Sequence, residues 1–177
     1  QSQIPIVLYI YYNLIFRYGV DDFIKEAAKC GVDGLLVLDL PPEEAGQYQN
    51  FMKKAGLCPI YLVAPTTPEE RIKVIVNNTD GFVYYVSREG VTGMRNSISE
   101  TLPMMVSTIK KYTTLPVAVG FGISNPEQAK TVATYADAVV VGSAVVDRIG
   151  KLGKSPLMIQ EVSEFVKSLN IAVKSVK

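Results

Sequence analysis

The chain has 177 residues, 48% hydrophobic and 20% charged, enough for one domain with a sizeable core. Lys and Arg number 18 against 17 Asp and Glu, so no global field favours nucleic acid or a membrane surface, and a small anion needs a local holding device. Histidine is absent, which excludes histidine acid/base chemistry and histidine metal ligation within these residues.

The first predicted strand is the apolar run Ile6–Tyr11. Before it, Gln1-Ser2-Gln3-Ile4-Pro5 has neither an initiator Met nor a signal-peptide layout, so truncation or processing is expected. Asp21 and Asp22 open a helix that carries Phe23, Ala27 and Ala28 on one face and ends at Gly31. Strand Leu35–Leu38 follows, then a helix opened by Pro42-Glu43-Glu44 and closed at Gly56. Strand Pro59–Val63 leads to Thr67-Pro68-Glu69-Glu70, which combines a cap, a first-turn proline and acidic charge. After strand Phe82–Val86, Ser99 or Thr101 begins a helix running to about Tyr112. Strand Val117–Val119 precedes Ser124-Asn125-Pro126-Glu127, the start of the fifth helix. Strand Ala138–Val141 precedes a short helix, Ala144 to Ile149. The last helix begins at Ser155-Pro156, with Ile159, Val162, Phe165 and Val166 as its expected buried stripe and Asn170–Lys177 as a tail. Cys30 and Cys58 match no metal or redox spacing and read as reduced, partly buried thiols.

Short, continuous apolar strands alternating with helices suit a parallel sheet covered by helices. An open doubly wound sheet shares this periodicity, so the loops must decide. No G-x-G-x-x-G follows a first strand. Glycines cluster instead after the last strands, where β/α barrels place a phosphate site. The expected fold is therefore a TIM (β/α)8 barrel, with residues 1–177 a single domain forming its C-terminal three-quarters. Six units are read where eight are needed, and the first two, about 80–95 residues, are expected to be missing from the front.

Three glycine loops bear chemistry: Gly90-Val91-Thr92-Gly93, Gly120-Phe121-Gly122-Ile123-Ser124 and Gly142-Ser143. Each follows a strand, on the face where barrel active sites assemble. Glycine lets backbone N–H groups approach a ligand closely. A helix starting at Ser143 would add free donors and partial positive charge, making a phosphate cradle that needs no lysine.

These loops also carry a resemblance. Tyr11-Tyr12-Asn13, Asp39-Leu40-Pro41, Pro65-Thr66-Thr67, Ser87-Arg88-Glu89-Gly90-Val91-Thr92-Gly93, Gly120-Phe121-Gly122-Ile123-Ser124 and Val141-Gly142-Ser143-Ala144 occur in order. The series resembles the tryptophan synthase alpha subunit family from about Pro5 to the end. The resemblance implies a lyase that cleaves indole-3-glycerol phosphate to indole and glyceraldehyde 3-phosphate by a retro-aldol reaction. It implies a beta-subunit partner in an alpha2beta2 assembly, with pyridoxal phosphate in the partner, no cofactor here, and a cytoplasmic location (plastid in a plant).

By the same resemblance, Gly93, Gly122, Gly142 and Ser143 bind the substrate phosphate. Tyr11, Leu38, Leu62 and Phe121 line the indole pocket. Loop Thr92 orients a catalytic carboxylate and Tyr84 stands beside the substrate. Segments around Asn13-Leu14-Ile15-Phe16 and Pro41-Pro42-Glu43 match loops that touch the beta subunit, with Asn13, Phe16 and Pro41 as contact residues. The family's principal Glu and Asp match nothing in this chain, so the 177 residues alone are expected to be inactive. Asp39 is expected to be structural or interfacial, Asp137 merely solvated, and Arg88 with Glu89 a solvated pair. Other readings are a stand-alone indole-3-glycerol-phosphate lyase, a non-catalytic phosphate- and partner-binding fragment, or another phosphate-binding barrel such as a phosphosugar isomerase.

Overall fold

The computed structural model describes residues 3–87, 101–120 and 122–176. They fall into two compact units, residues 1–63, 67–84 and 112–115 in one, and 64–66, 85–111 and 116–177 in the other.

The first unit opens with β1 (Val7–Ile10), α1 (Tyr12–Tyr18), α2 (Val20–Lys29) and β2 (Gly34–Val37). A 3-10 turn, Pro42–Glu44, leads into α3 (Gly46–Ala55), β3 (Cys58–Ile60), β4 (Leu62–Val63) and α4 (Glu69–Asn77). Strands β1, β2 and β3 are parallel neighbours in that order, with Tyr9 beside Leu36 and Leu36 beside Ile60. Every residue of β2 is buried, as a strand covered on both sides should be. Gly34 is required there: a Cβ would stand 2.9 Å from the Cys58 carbonyl oxygen. Asp33 ties β1 to β2, its carboxylate accepting from the Ile6 N–H at 2.7 Å.

Three details depart from the sequence reading. The segment read as loop around Asn13–Phe16 is helical, ending at Gly19 with φ +99°. The single strand expected over 59–63 breaks at Tyr61. Cys30 is exposed and only Cys58 is partly buried. The caps hold where glycine was expected, since Gly56 closes α3 at φ +71°.

The second unit contains α5 (Thr101–Lys110), β6 (Val117–Gly120), α6 (Pro126–Ala133), β7 (Ala138–Val140), α7 (Ser143–Leu152) and α8 (Met158–Lys174). Strand β5 (Val83–Val86) is divided between the units. Strands β6 and β7 are parallel, with Gly120 beside Val140. The expected cap of α6 is present: Asn125 Oδ1 accepts from the Gln128 N–H at 2.9 Å. Gln128 reaches back, its Oε1 accepting from the Ser124 N–H at 2.8 Å. Of the stripe expected on α8, Phe165 is buried and Val162 half-buried, whereas Ile159 and Val166 are exposed and Leu169, one turn on from Phe165, is buried instead. The guanidinium of Arg148 lies 3.9 Å over the Phe165 ring, covering one side of that anchor. The expected tail is helical to Lys174.

Asp137 is not merely solvated. One carboxylate oxygen accepts from the Val117 N–H at 2.8 Å and also pairs with Lys110 at 2.8 Å. It thus fastens the start of β6 to the residue before β7, as Asp33 fastens β1 to β2.

Candidate functional site

In the first unit, strand alternation sorts the side chains into two faces. Tyr61 faces the helices, since the Gln49 amide of α3 donates to its hydroxyl at 3.0 Å. Ile60 and Leu62 therefore turn to the opposite face, and by register so do Leu36 and Tyr9. The Leu38 N–H donates to the Ile10 carbonyl at 3.1 Å, which carries the register on to set Tyr11 beside Leu38. The Tyr84 N–H donates to the Tyr61 carbonyl at 3.2 Å, which sets Tyr84 beside Leu62.

The helix-free face thus bears two rows. Tyr9, Leu36 and Ile60 form the lower one, in which Leu36 and Ile60 are fully buried. Tyr11, Leu38, Leu62 and Tyr84 occupy the carboxyl ends of their strands above it. Leu38, Leu62 and Tyr84 are half-buried and Tyr11 is exposed. An aromatic and aliphatic row of this kind, above buried Leu36 and Ile60 and exposed Tyr9, offers a flat apolar ring a surface to lie on. Burial pushes the Tyr84 phenol above its ordinary range, and the neighbouring Tyr9 adds to the shift. Tyr84 therefore stays a neutral donor at physiological pH. Of the sequence-derived pocket residues, Tyr11, Leu38 and Leu62 share this face with Tyr84, whereas Phe121 lies outside the described residues. Tyr9 was overlooked, although counting two residues back from Tyr11 finds it.

The second unit carries the glycine turns. Gly122 adopts φ +71°, a conformation that side chains beyond Gly rarely take. It is followed by buried Ile123 and by Ser124, which Gln128 holds through both its N–H and its hydroxyl. The turn is therefore fixed at its exit. Gly142 is the N-cap of α7 and its carbonyl accepts from Val145 at 2.9 Å and Val146 at 3.2 Å. Ser143 is exposed at the first position of that ten-residue helix. Helix geometry leaves the first-turn N–H groups there without intrahelical partners. A Cβ added to Gly142 would meet nothing within 4 Å, so the backbone is open to approach. Open donors at a positive helix end suit an oxyanion. Thr92 and Gly93, with Arg88 and Glu89, lie outside the described residues.

The proposed contact residues lie in the first unit. Asn13 and Phe16 are exposed on α1, Phe16 at 68%, together with Leu14 and Tyr18. Pro41 is half-buried ahead of the 3-10 turn. Asp39 accepts from the Tyr12 N–H at 2.6 Å, capping α1 from the end of the neighbouring strand. No helix of the described residues is long and apolar enough to cross a membrane, and among them no three Cys, Asp or Glu side chains gather as a metal site.

The family model described as "Tryptophan synthase alpha chain" matches residues 1–174. The tryptophan synthase alpha chain of Opitutus terrae is 51% identical over 155 residues, covering 88% of this chain and 58% of the relative. That of Geotalea uraniireducens is 45% identical, covering 99% of this chain and 66% of the relative. Thus the chain spans under two-thirds of these relatives' length. Among solved structures, the tryptophan synthase a2b2 complex of Pyrococcus furiosus matches with a TM-score of 0.86 at 42% identity, over 95% of this chain and 67% of that one. Tryptophan synthase from M. tuberculosis matches with a TM-score of 0.84 at 33% identity, over 96% of this chain and 61% of that one. The parallel strands and alternating β/α units, together with the likeness to these structures, bear out the barrel class.

Proposed function

The chain belongs to the tryptophan synthase alpha chain family, and from that membership we propose that its protein is an indole-3-glycerol-phosphate lyase working as the alpha subunit of tryptophan synthase. The observation that carries the reading is the start of α7, where Gly142 and Ser143 present open backbone donors to an anion. Gly122, and Gly93 beyond the described residues, complete the proposed phosphate set. Tyr11, Leu38, Leu62 and Tyr84 supply the apolar row for the indole ring, with Phe121 as a further wall.

The reaction opens the bond between indole C3 and the glycerol chain. A proton is added at C3 and one leaves the adjacent glycerol hydroxyl, which becomes the aldehyde oxygen. The residues described here bind and orient. The neutral Tyr84 hydroxyl offers a hydrogen bond beside the ring, and Thr92 is assigned to the loop that orients a carboxylate. The family's acid/base Glu, and the Asp that meets the indole N–H, match no residue of the 177. No cofactor is assigned to this chain. Pyridoxal phosphate belongs to the beta-subunit partner, which we place against Asn13, Phe16 and Pro41. The reading carries with it a cytoplasmic location, or a plastid for a plant source.

Equilibrium dialysis against indole-3-glycerol phosphate tests this directly. The 177-residue chain should retain the substrate and release no glyceraldehyde 3-phosphate. Turnover by this chain alone would overturn the placement of the acid/base groups, and failure to retain the substrate would overturn the binding assignment.

A further inference from the structure

Two segments proposed to meet the partner are joined by one hydrogen bond. Helix α1 has seven residues, too few to be stable by itself. Its N-cap, Tyr11, makes no side-chain cap bond, and its first turn contains no acidic residue. The missing acceptor comes from 27 residues away: Asp39 takes the Tyr12 N–H at 2.6 Å. A carboxylate there also meets the positive end of the helix. On its other side, Asp39 leads through buried Leu40 to Pro41 and the Pro42–Glu44 turn. That turn is held a second time by Arg71 of α4, which grips both oxygens of Glu43 at 2.5 and 3.2 Å.

We propose that Asp39 is a positioning residue that fixes the exposed face of α1 and the Pro41–Glu44 segment as one preformed docking surface for a folded protein partner. The inference rests on the alpha-subunit reading and adds to it the residue that makes the surface rigid. The chemistry of the surface defines the partner. Leu14, Phe16 and Tyr18 of α1 are more than half exposed, exposed Arg17 stands between them, and Glu43 and Glu44 are exposed in the neighbouring turn. The Asp39 carboxylate is turned onto a backbone N–H. Such a face fits a folded protein partner that offers an apolar recess for an aromatic anchor and polar groups at its rim for Arg17 and Glu44. A preformed surface avoids the entropy of ordering a loop at the moment of binding.

The test titrates purified beta subunit into the full chain by calorimetry, comparing wild type with Phe16→Ala, Asp39→Ala and Asp39→Asn. Amide exchange of α1 is read in the free proteins. Phe16→Ala should weaken binding. Asp39→Ala should weaken it by about two- to thirty-fold, the value of a lost helix cap, and speed α1 exchange. Asp39→Asn keeps an acceptor for Tyr12 and should restore most of both. If Asp39→Ala binds as wild type while Phe16→Ala does not, the positioning role is wrong and the partner reading stands. Equal losses in Asp39→Ala and Asp39→Asn, with unchanged α1 exchange, would mean that the charge meets the partner directly and would also overturn the inference. A wild-type chain that binds no beta subunit would overturn the partner reading, and the docking surface with it.

Discussion

Gly142→Ala separates the approach of a ligand to the backbone from the strain of the backbone itself. Gly142 has φ −116°, outside the left-handed region, and a Cβ placed on it meets no atom within 4 Å. The folding cost should be that of a poorer N-cap, at most about 1 kcal/mol. The cost to an anion at the start of α7 should be larger. Holding the phosphate back from one backbone donor forfeits a charge-assisted hydrogen bond of about 1.5–3 kcal/mol, roughly ten- to hundred-fold in affinity. Gly122→Ala is the contrasting variant. At φ +71° an alanine is strained by about 1–2 kcal/mol, so this variant should lose stability as well as affinity. Urea denaturation and calorimetric titration with glycerol 3-phosphate read the two quantities separately, with an unchanged m-value as the check on two-state behaviour. Wild-type affinity in Gly142→Ala would refute close backbone approach at this helix start.

Other perturbations test the surrounding framework. Tyr48 is 3% exposed and its hydroxyl has no hydrogen-bond partner among the described residues, so Tyr48→Phe should keep the fold and raise stability by about 1 kcal/mol in a denaturant titration. Asp137→Ala removes the acceptor of the Val117 N–H and should cost about 1–2 kcal/mol, with Asp137→Asn recovering part of it. Loss of only the exposed Lys110 pair would cost less, so equal stability of both variants would mean that the backbone bond is unimportant. Burial raises the phenol pKa of Tyr48, Tyr61 and Tyr84. Above pH 10 the unfolded chain therefore loses these protons first. Stability should be unaffected by them below pH 10 and fall above it, by up to about 1.4 kcal/mol per pH unit for each group. A flat profile between pH 10 and 11.5 would contradict the burial.

The strands were legible because parallel strands between covering layers need continuous apolar runs, and Leu35–Leu38 or Val117–Val119 fit no other role well. The Asn125 cap was legible because its acceptor, proline and glutamine lie within four consecutive residues. Helix α1 was not, because its seven residues have no acidic first turn and no side-chain cap of their own, and the acceptor that caps it, Asp39, is remote in sequence. Asp137 looked solvated for want of any local partner, while its acceptor role depends on a backbone N–H 20 residues earlier. In the candidate site, resemblance named Tyr11, Leu38, Leu62 and Tyr84, and strand alternation explains why they belong to one face. The same alternation adds Tyr9.

The proposed function requires that one ligand carrying both an indole and a phosphate be recognised. Calorimetric titration of the chain with indole-propanol phosphate and with glycerol 3-phosphate, side by side, tests it most directly. Burying about 100 Å² of ring at roughly 25 cal/mol per Å² predicts tighter binding of the indole ligand by at least about ten-fold, and Tyr84→Ala should shrink that margin. Equal affinity for the two ligands would leave a bare phosphate site and contradict the account.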